Sequence, residues 1–429
     1  MHITNINVAN FRGFIEKEIH FAERFTVLIG DNGSGKTAVL EFLAVALGGY
    51  LNGFTGVASG RNILPAEVRL QTYLQGDVIT TEPRYPVSVT CSSEINDNFY
   101  HWSRTLNSEK GRTTRIEARE IIKYAENLQS EVREGKPSTL PVLGYYGTGR
   151  LWAQKKAKSK VNARINSRLL GYTDCLDPIS NQKLFSSWFK KMTQIKLQKG
   201  KEISGLTVVK KAIEKSLESL TSENEKVNIY YDLELDEIIV VLQDGRELSL
   251  NKLSDGYRNT LCMVGDIAYR MSVLNPHLMG DAANETPGVI LIDEIDLHLH
   301  PKWQRNIVND FKRTFPKVQF IVTTHSPIVI SSCAENEVVK LTTIGNDTKI
   351  EYLNNTKGWL AENIITELMD VETSRDKETE ETIGIVRELY YRKLDGGVSE
   401  AENALLVNSL KNLSSHLPEN DPVITLTKR

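Results

Sequence analysis

A chain of 429 residues, 40% hydrophobic and 25% charged, has the make-up of an ordinary globular protein with room for two or three domains or one elaborated one. The lack of any apolar run near the roughly 18 residues of a bilayer span argues against a membrane protein, and the net charge of -3 conceals an uneven distribution. The four cysteines, Cys91, Cys175, Cys262 and Cys333, lie far apart without C-x-x-C spacing, which speaks against a disulfide framework or zinc knuckle and suits a cytoplasmic protein.

In chain order, "HITNINVANF" and "EKEIHF" alternate as strands do, and "RFTVLIG" is a short apolar run of the kind a buried strand shows. No basic stretch leads into an apolar one here, so no secretory leader is expected. A glycine-rich turn follows, then "KTAVLEFLAVALGGYL" with helical spacing, expected to end at Gly48-Gly49. "RYPVSVTCSS" and "FYHWSRTL" read as strands, Glu117 to Glu134 as a polar helix, and "TLPVLGYYGTGRLW" as a strand entering a glycine-punctuated loop. Helical pieces such as "NQKLFSSWFKKMTQI" fill the next stretch, which reads as an insertion. Strand patterns resume only at "VNIYYDLEL" and "EIIVVLQDGREL", the latter with a D-G turn. Helix returns after "LSDGYRN" to about Leu274, then the strand "GVILIDEID", a helix from Pro301 over "PKWQRNIVNDFKRTF", and the strand "VQFIVTTHSP". Gly358 to Leu417 is charged and mostly helical.

Charge is unevenly placed. Arg150 to Lys215 holds 16 Lys and Arg against 4 Asp and Glu, a local +12, whereas Glu362 to Glu402 holds 12 acidic against 5 basic residues, a local -7. Residues 155–215 are therefore a candidate nucleic-acid or acidic-partner surface, with a solvated helical face as the bland alternative.

The chemistry concentrates in three places. "GDNGSGKT", Gly30 to Thr37, matches G-x-x-x-x-G-K-[ST] between a buried strand and a helix, where the motif's mechanism needs it. Backbone N–H groups around Asn32, Gly33, Ser34 and Gly35 would converge on phosphate oxygens at a helix N-terminus. Lys36 would reach the β- and γ-phosphates, and the Thr37 hydroxyl would ligate Mg2+. "VILIDEID" carries Asp293 and Glu294 to a strand end, where ligands bind in a parallel sheet. Asp293 suits contact with Mg2+, and Glu294 can polarise an in-line water. "IVTTHSP" ends a further strand at His325, placed to hydrogen-bond the γ-phosphate and report its presence. His298 and His300 in "DLHLHP" have H-x-H spacing, but with no further Cys or His cluster nearby a loop role is favoured over a metal site. "LSDGYRN" begins as a helix would, with Ser254 or Asp255 as cap and Gly256 permitting close approach to the backbone.

The order of phosphate loop, insertion, "LSDGYR", "LIDEID" and "TTHSP" resembles an ABC-type ATPase head of the RecF/SMC/OLD-like group over roughly residues 1–150 and 226–345. The resemblance implies an α/β P-loop fold with a mixed sheet, interrupted by a basic helical insertion at 151–225 and followed by a helical C-terminal extension at 346–429. It implies ATP and Mg2+ as ligands, ATP hydrolysis, and a homodimer or higher homo-oligomer of ATP-engaged heads. In that arrangement Ser254, Asp255 and Gly256 act in trans on a second subunit's nucleotide, and Asp296 lines the seam. His325 senses the γ-phosphate, and Arg12 of "NFRGF" lies close to the nucleotide. The signature reads LSDGY rather than LSGGQ, and no glutamine marks the loop that couples to Mg2+ in this group, although "YYGTGRLW" occupies its place. The short insertion lacks the sustained heptads of SMC proteins, and the residues after His325 lack a TOPRIM-like acidic pattern. The chain therefore most resembles the PtuA family of Septu and retron-associated ATPases in bacterial anti-phage systems. That implies control of a separate effector, an HNH nuclease or other toxin; the alternative is a RecF-like DNA-binding ATPase of repair.

Overall fold

The computed structural model describes all residues except 58–59, 76, 151–166, 180–181, 219–227, 242–244, 346 and 427–429. The described residues divide into two compact units, Met1–Trp359 and Leu360–Arg429. The first unit is built on one six-stranded sheet. Its strand order is Asp347–Leu353, Val338–Ile344, Phe25–Ile29, Val318–Thr323, Gly288–Ile292 and Val142–Tyr146. All neighbours run parallel except the edge strand Asp347–Leu353, which pairs antiparallel. Every residue of the four strands from Phe25–Ile29 to Val142–Tyr146 is buried. That is the consequence of covering a parallel sheet on both faces, and it explains why these segments read as unbroken apolar runs.

The parallel direction places the C-terminal ends of four strands on one edge. Gly30, Thr324, Asp293 and Gly147 follow those ends directly, and the strand leading to His325 lies between the phosphate-loop strand and the acidic strand. The edge is thus the meeting point of motifs about 260 residues apart in sequence.

A second, antiparallel sheet, in the order Phe14–His20, His2–Phe11, Val87–Ile95 and Asn98–Leu106, supplies the other wall for the helix Lys36–Leu51. Trp102 donates its indole N–H to the Ala46 carbonyl at 2.9 Å, and Phe42 meets Phe11 and Phe14 edge-on. Closed in on both sides, this helix buries every residue except Thr37 and Glu41, which share one face at i, i+4 spacing. Gly48 and Gly49 do not end it, contrary to the sequence expectation; it runs on to Leu51. A Cβ on Gly48 would lie 2.7 Å from the Arg61 carbonyl oxygen and one on Gly49 would lie 3.1 Å from the Trp102 indole nitrogen, so both glycines serve close packing.

Other expectations were met with altered bounds. The polar helix spans Arg119–Arg133, and the helical pieces expected after the strand Val142–Tyr146 are Gln182–Lys199 and Ser204–Leu217. Lys155, Lys156, Lys158 and Lys160 lie outside the described residues, as does Asp244 of the D-G turn. The helix from Pro301 is two pieces, Pro301–Gln304 and Ile307–Thr314. Sequence patterning missed the hairpin Leu70–Gln75 with Val78–Pro83 and the edge pair Val338–Ile344 with Asp347–Leu353. Among its described residues the second unit holds four helices, Ala361–Leu368, Lys377–Leu394, Glu400–His416 and Pro422–Leu426, the last three around Ile383, Val386, Leu389, Leu406, Leu413 and Ile424. No helix among the described residues is long and apolar enough to cross a membrane.

A buried polar chain ties the helix Asp255–Leu274 to this sheet. The Tyr146 hydroxyl donates to Asp266 at 2.8 Å, Arg270 Nε donates to the same carboxylate oxygen at 2.8 Å, and Arg270 also donates to the carbonyls of Gly171 and Thr173. Coulomb attraction to Asp266 and Tyr146 outweighs burial and holds Arg270 firmly protonated. Tyr146→Phe leaves the Asp266 carboxylate with one donor fewer in the interior. The expected loss is about 1–3 kcal/mol in urea unfolding, with no change of fold.

Candidate nucleotide site

The loop from Gly30 to Gly35 turns on positive φ values at Gly30, Gly33 and Gly35, which brings it to the first turn of the helix Lys36–Leu51. The Ser34 hydroxyl is buried with no hydrogen-bond partner among the described residues, and Asn32 and Gly33 are exposed at the crest. Lys36 donates to the Gly30 and Asp31 carbonyls at 2.7 Å each. Burial lowers its pKa, against the pull of Asp293, Asp31 and Glu294. A buried hydroxyl and ammonium in a loop that opens a helix N-terminus are donors suited to phosphate oxygens.

The acidic strand end meets this loop directly. The Thr37 hydroxyl donates to the Asp293 carboxylate at 3.0 Å, and Thr323 donates to its other oxygen at 2.7 Å. Asp293 itself is buried and its backbone N–H donates to the Tyr146 carbonyl at 2.8 Å. The Glu294 backbone N–H donates to Thr323 Oγ1 at 2.7 Å, and Glu294 sits at φ 49°, a conformation unusual for a side-chain-bearing residue. Thr323 therefore fixes both acidic residues. Thr37 and Asp293 bring a hydroxyl and a carboxylate together beside the phosphate loop, a hard-oxygen pair of the kind Mg2+ takes together with substrate phosphates.

Arg12 and Gly33 line one groove of about 600 Å³ with Arg69 and Thr72. Arg12 is exposed at φ 48°, and its guanidinium makes a two-point ion pair with Glu41 at 2.7 and 2.8 Å. Arg61 reaches both Glu41 and Glu67. Burial raises the Glu41 pKa, opposed first by Arg12 and then by Arg61. His325 is exposed just past the end of its strand, and Thr324 before it donates to Asp296 at 2.5 Å.

Ser254 and Gly256 line a separate cavity of about 570 Å³ with Tyr257, His298, His300, Lys302 and Arg305. Ser254 occupies the N-cap of Asp255–Leu274, but its hydroxyl makes no capping bond. Asp255 forms an ion pair with Arg258 at 2.7 Å. A Cβ on Gly256 would stand 2.2 Å from the His298 carbonyl oxygen, so the glycine is used inside the chain, where the loop after the acidic strand packs on the helix backbone. No group of three or more potential metal ligands occurs among the described residues, and His300 instead accepts the Lys302 N–H, capping the next helix.

Sequence reasoning named the phosphate loop, the acidic pair and His325 but missed Thr323, Glu41 and Tyr146. Glu41 carries a faint signal as the i+4 neighbour of Thr37, and Thr323 as the first threonine of "TTH". The hydroxyl's reach to a carboxylate 30 positions earlier leaves no mark in a one-dimensional pattern.

A phosphate loop opening a buried helix, with an acidic strand end across an intervening strand of a parallel sheet, defines a P-loop ATPase. The chain belongs to the AAA-domain family, whose model matches residues 5–232. A second model, described as an AAA domain, putative AbiEii toxin, Type IV TA system, matches 151–331. The chain is 28% identical to the retron Vc95 probable ATPase of Vibrio cholerae serotype O1 biovar El Tor, over 90% of this chain and 82% of that protein. It is 25% identical to the retron Ec83 probable ATPase of Escherichia coli, over 85% and 76% respectively. The Septu protein PtuA of Bacillus thuringiensis is 31% identical over 32% of this chain and 36% of its own length. The protein is an ATP-binding, ATP-hydrolysing enzyme, and the resemblance to retron-associated and Septu ATPases read from the motif order is borne out.

Because the added Cβ at Gly256 meets a backbone carbonyl and not a movable side chain, Gly256→Ala is expected to cost about 1–3 kcal/mol in thermal unfolding. The loop bearing His298 should shift with it, read as altered amide exchange at 296–300. An unchanged melting curve would contradict this packing.

Proposed function

We propose that this protein is the ATP-driven, self-associating component of a bacterial anti-phage defence system, whose nucleotide state controls a separate effector, an HNH nuclease or other toxin. The observation that carries the ATPase half is the joint grip of Thr37 and Thr323 on Asp293 beside the phosphate loop. The defence half rests on similarity to a retron ATPase along 90% of the chain.

Roles follow from position. The loop N–H groups of Asn32, Gly33, Ser34 and Gly35 and the Lys36 ammonium hold the β- and γ-phosphates, so Lys36 exchanges its bonds to Gly30 and Asp31 for phosphate oxygens. Thr37 and Asp293 would hold Mg2+, which when bound neutralises charge on the phosphate oxygens. Glu294 orients a water in line with the γ-phosphate and takes its proton as the bond to the β,γ-bridging oxygen breaks. Thr323 keeps Glu294 at that angle. His325 contacts the γ-phosphate, and Arg12, held by Glu41, borders the nucleotide. Ser254, Asp255 and Gly256 meet the nucleotide of a second copy, and Asp296 lies at that seam. The basic stretch 155–215 is the candidate surface for nucleic acid.

Lys36→Ala is expected to abolish nucleotide binding and turnover. Glu294→Gln is expected to retain ATP while turnover falls by roughly 10²–10⁴. The Gln variant should collect in an ATP-dependent assembled state visible by sedimentation, and both variants should lose protection in a phage-challenge assay. Full protection with either would refute the functional reading. An unchanged mass distribution of the Gln variant would refute engagement between copies.

A further inference from the structure

The cavity beside Ser254 carries charge that nothing in its own surroundings uses. Lys302 and Arg305 are both exposed on its wall, and neither side chain has an ion pair or hydrogen bond among the described residues. Among the described residues no carboxylate lines the cavity. Asp255, the nearest acidic residue in sequence, is already neutralised by Arg258 at 2.7 Å. Tyr257 and Trp303 lie ring to ring at 4.0 Å, which joins the first turn of the helix Asp255–Leu274 to the turn that bears Lys302 and Arg305. The contact of Gly256 with the His298 carbonyl makes a second join between the same two segments. Helix start, loop and cations therefore form one surface.

We infer that Lys302 and Arg305 are counter-charges for a polyphosphate presented by a second copy of this chain. They complete in trans a site that the Ser254 end of the helix begins. This deepens the in-trans role of Ser254 proposed above and rests on it. A helix N-terminus supplies about half a positive charge, too little alone to meet the terminal phosphate of a nucleoside triphosphate buried between two copies. The aspartate in this signature adds a negative charge at that place, which Arg258 cancels. Beyond the charge that Lys36 and Mg2+ of the nucleotide-bearing copy would supply, positive charge from this surface comes from Lys302 and Arg305, the cations that line its cavity. The free Ser254 hydroxyl, which caps nothing in its own helix, adds a hydrogen-bond donor. Association driven this way weakens as salt rises, because exposed cations are screened.

The test compares the double variant Lys302→Ala/Arg305→Ala with Ser254→Arg, each made in full-length chain carrying Glu294→Gln. Binding of a fluorescent ATP analogue is measured at dilution, ATP-dependent association by sedimentation at several salt concentrations, and duplex DNA binding by gel shift. Both altered side chains are exposed, so the melting curve should match that of the parent. The expected result is unchanged analogue binding, association weakened by roughly tenfold or more, and a flatter salt dependence. If Ser254→Arg blocks association while the double variant associates as the parent does with the same salt slope, the inference is overturned and the in-trans reading stands. If Ser254→Arg also associates normally, the in-trans reading fails and takes the inference with it. Loss of duplex DNA binding with association intact would mark the cavity as a nucleic-acid surface and overturn the inference.

Discussion

The hydrogen bonds that Thr37 and Thr323 make to the Asp293 carboxylate are the constraint on which the site depends. They join the first turn of the phosphate-loop helix, the end of the central strand and the end of the acidic strand. Each partner is placed by a different requirement. Thr37 is one of two residues of its helix that the two sheets leave uncovered. Thr323 ends a fully buried strand, and Asp293 follows another. The parallel sheet makes those ends coincide, and burial of Asp293 makes the hydroxyls matter, since a polar group taken out of water needs hydrogen-bond partners. Thr323 passes the constraint on by accepting the Glu294 N–H, so one hydroxyl sets both the carboxylate beside the phosphate loop and the backbone of the residue after it.

From that edge the same geometry reaches the helix Asp255–Leu274. Tyr146 accepts from the Asp293 backbone with its carbonyl and donates to Asp266 with its hydroxyl, so one residue touches both the acidic strand end and the signature helix. Tyr146 stands just before the glycines of "YYGTGR", the stretch in which no glutamine marks the loop that couples to Mg2+ in the group the motifs resemble. At this point of the chain a buried tyrosine and the Arg270–Asp266 ion pair join the strand end to the helix. Tyr146 and Arg270 both donate to one oxygen of the Asp266 carboxylate, so a single buried acceptor joins the sheet to the helix.

What the sequence made legible follows from how local each feature is. The phosphate loop and "LIDEID" are contiguous, and their chemistry requires particular residue types at adjacent positions, so they stand out. The four buried strands stand out because covering both faces leaves an unbroken apolar run. The hairpin Leu70–Gln75 with Val78–Pro83 did not, because its apolar residues are exposed: Leu74 and Ile79, paired across it, are both largely open to solvent. Gly48-Gly49 read as a stop because a helix usually loses stability at glycine, yet neighbours at Arg61 and Trp102 need the space. The signature peptide was legible as a helix start with a needed glycine, but not its reason, since the His298 carbonyl lies 42 positions away and Arg258 answers Asp255 only through side-chain geometry.

The central claim is that a working site is assembled from the phosphate loop of one copy and the Ser254 surface of another. It is tested most directly by mixing two variants, each inactive alone: Lys36→Ala, which keeps the Ser254 surface, and Ser254→Arg, which keeps the phosphate loop. If sites are shared, ATP turnover reappears on mixing, in proportion to the mixed species formed. If turnover in every mixture stays at the sum of the two separate variants, each chain's site is self-contained and the account is wrong.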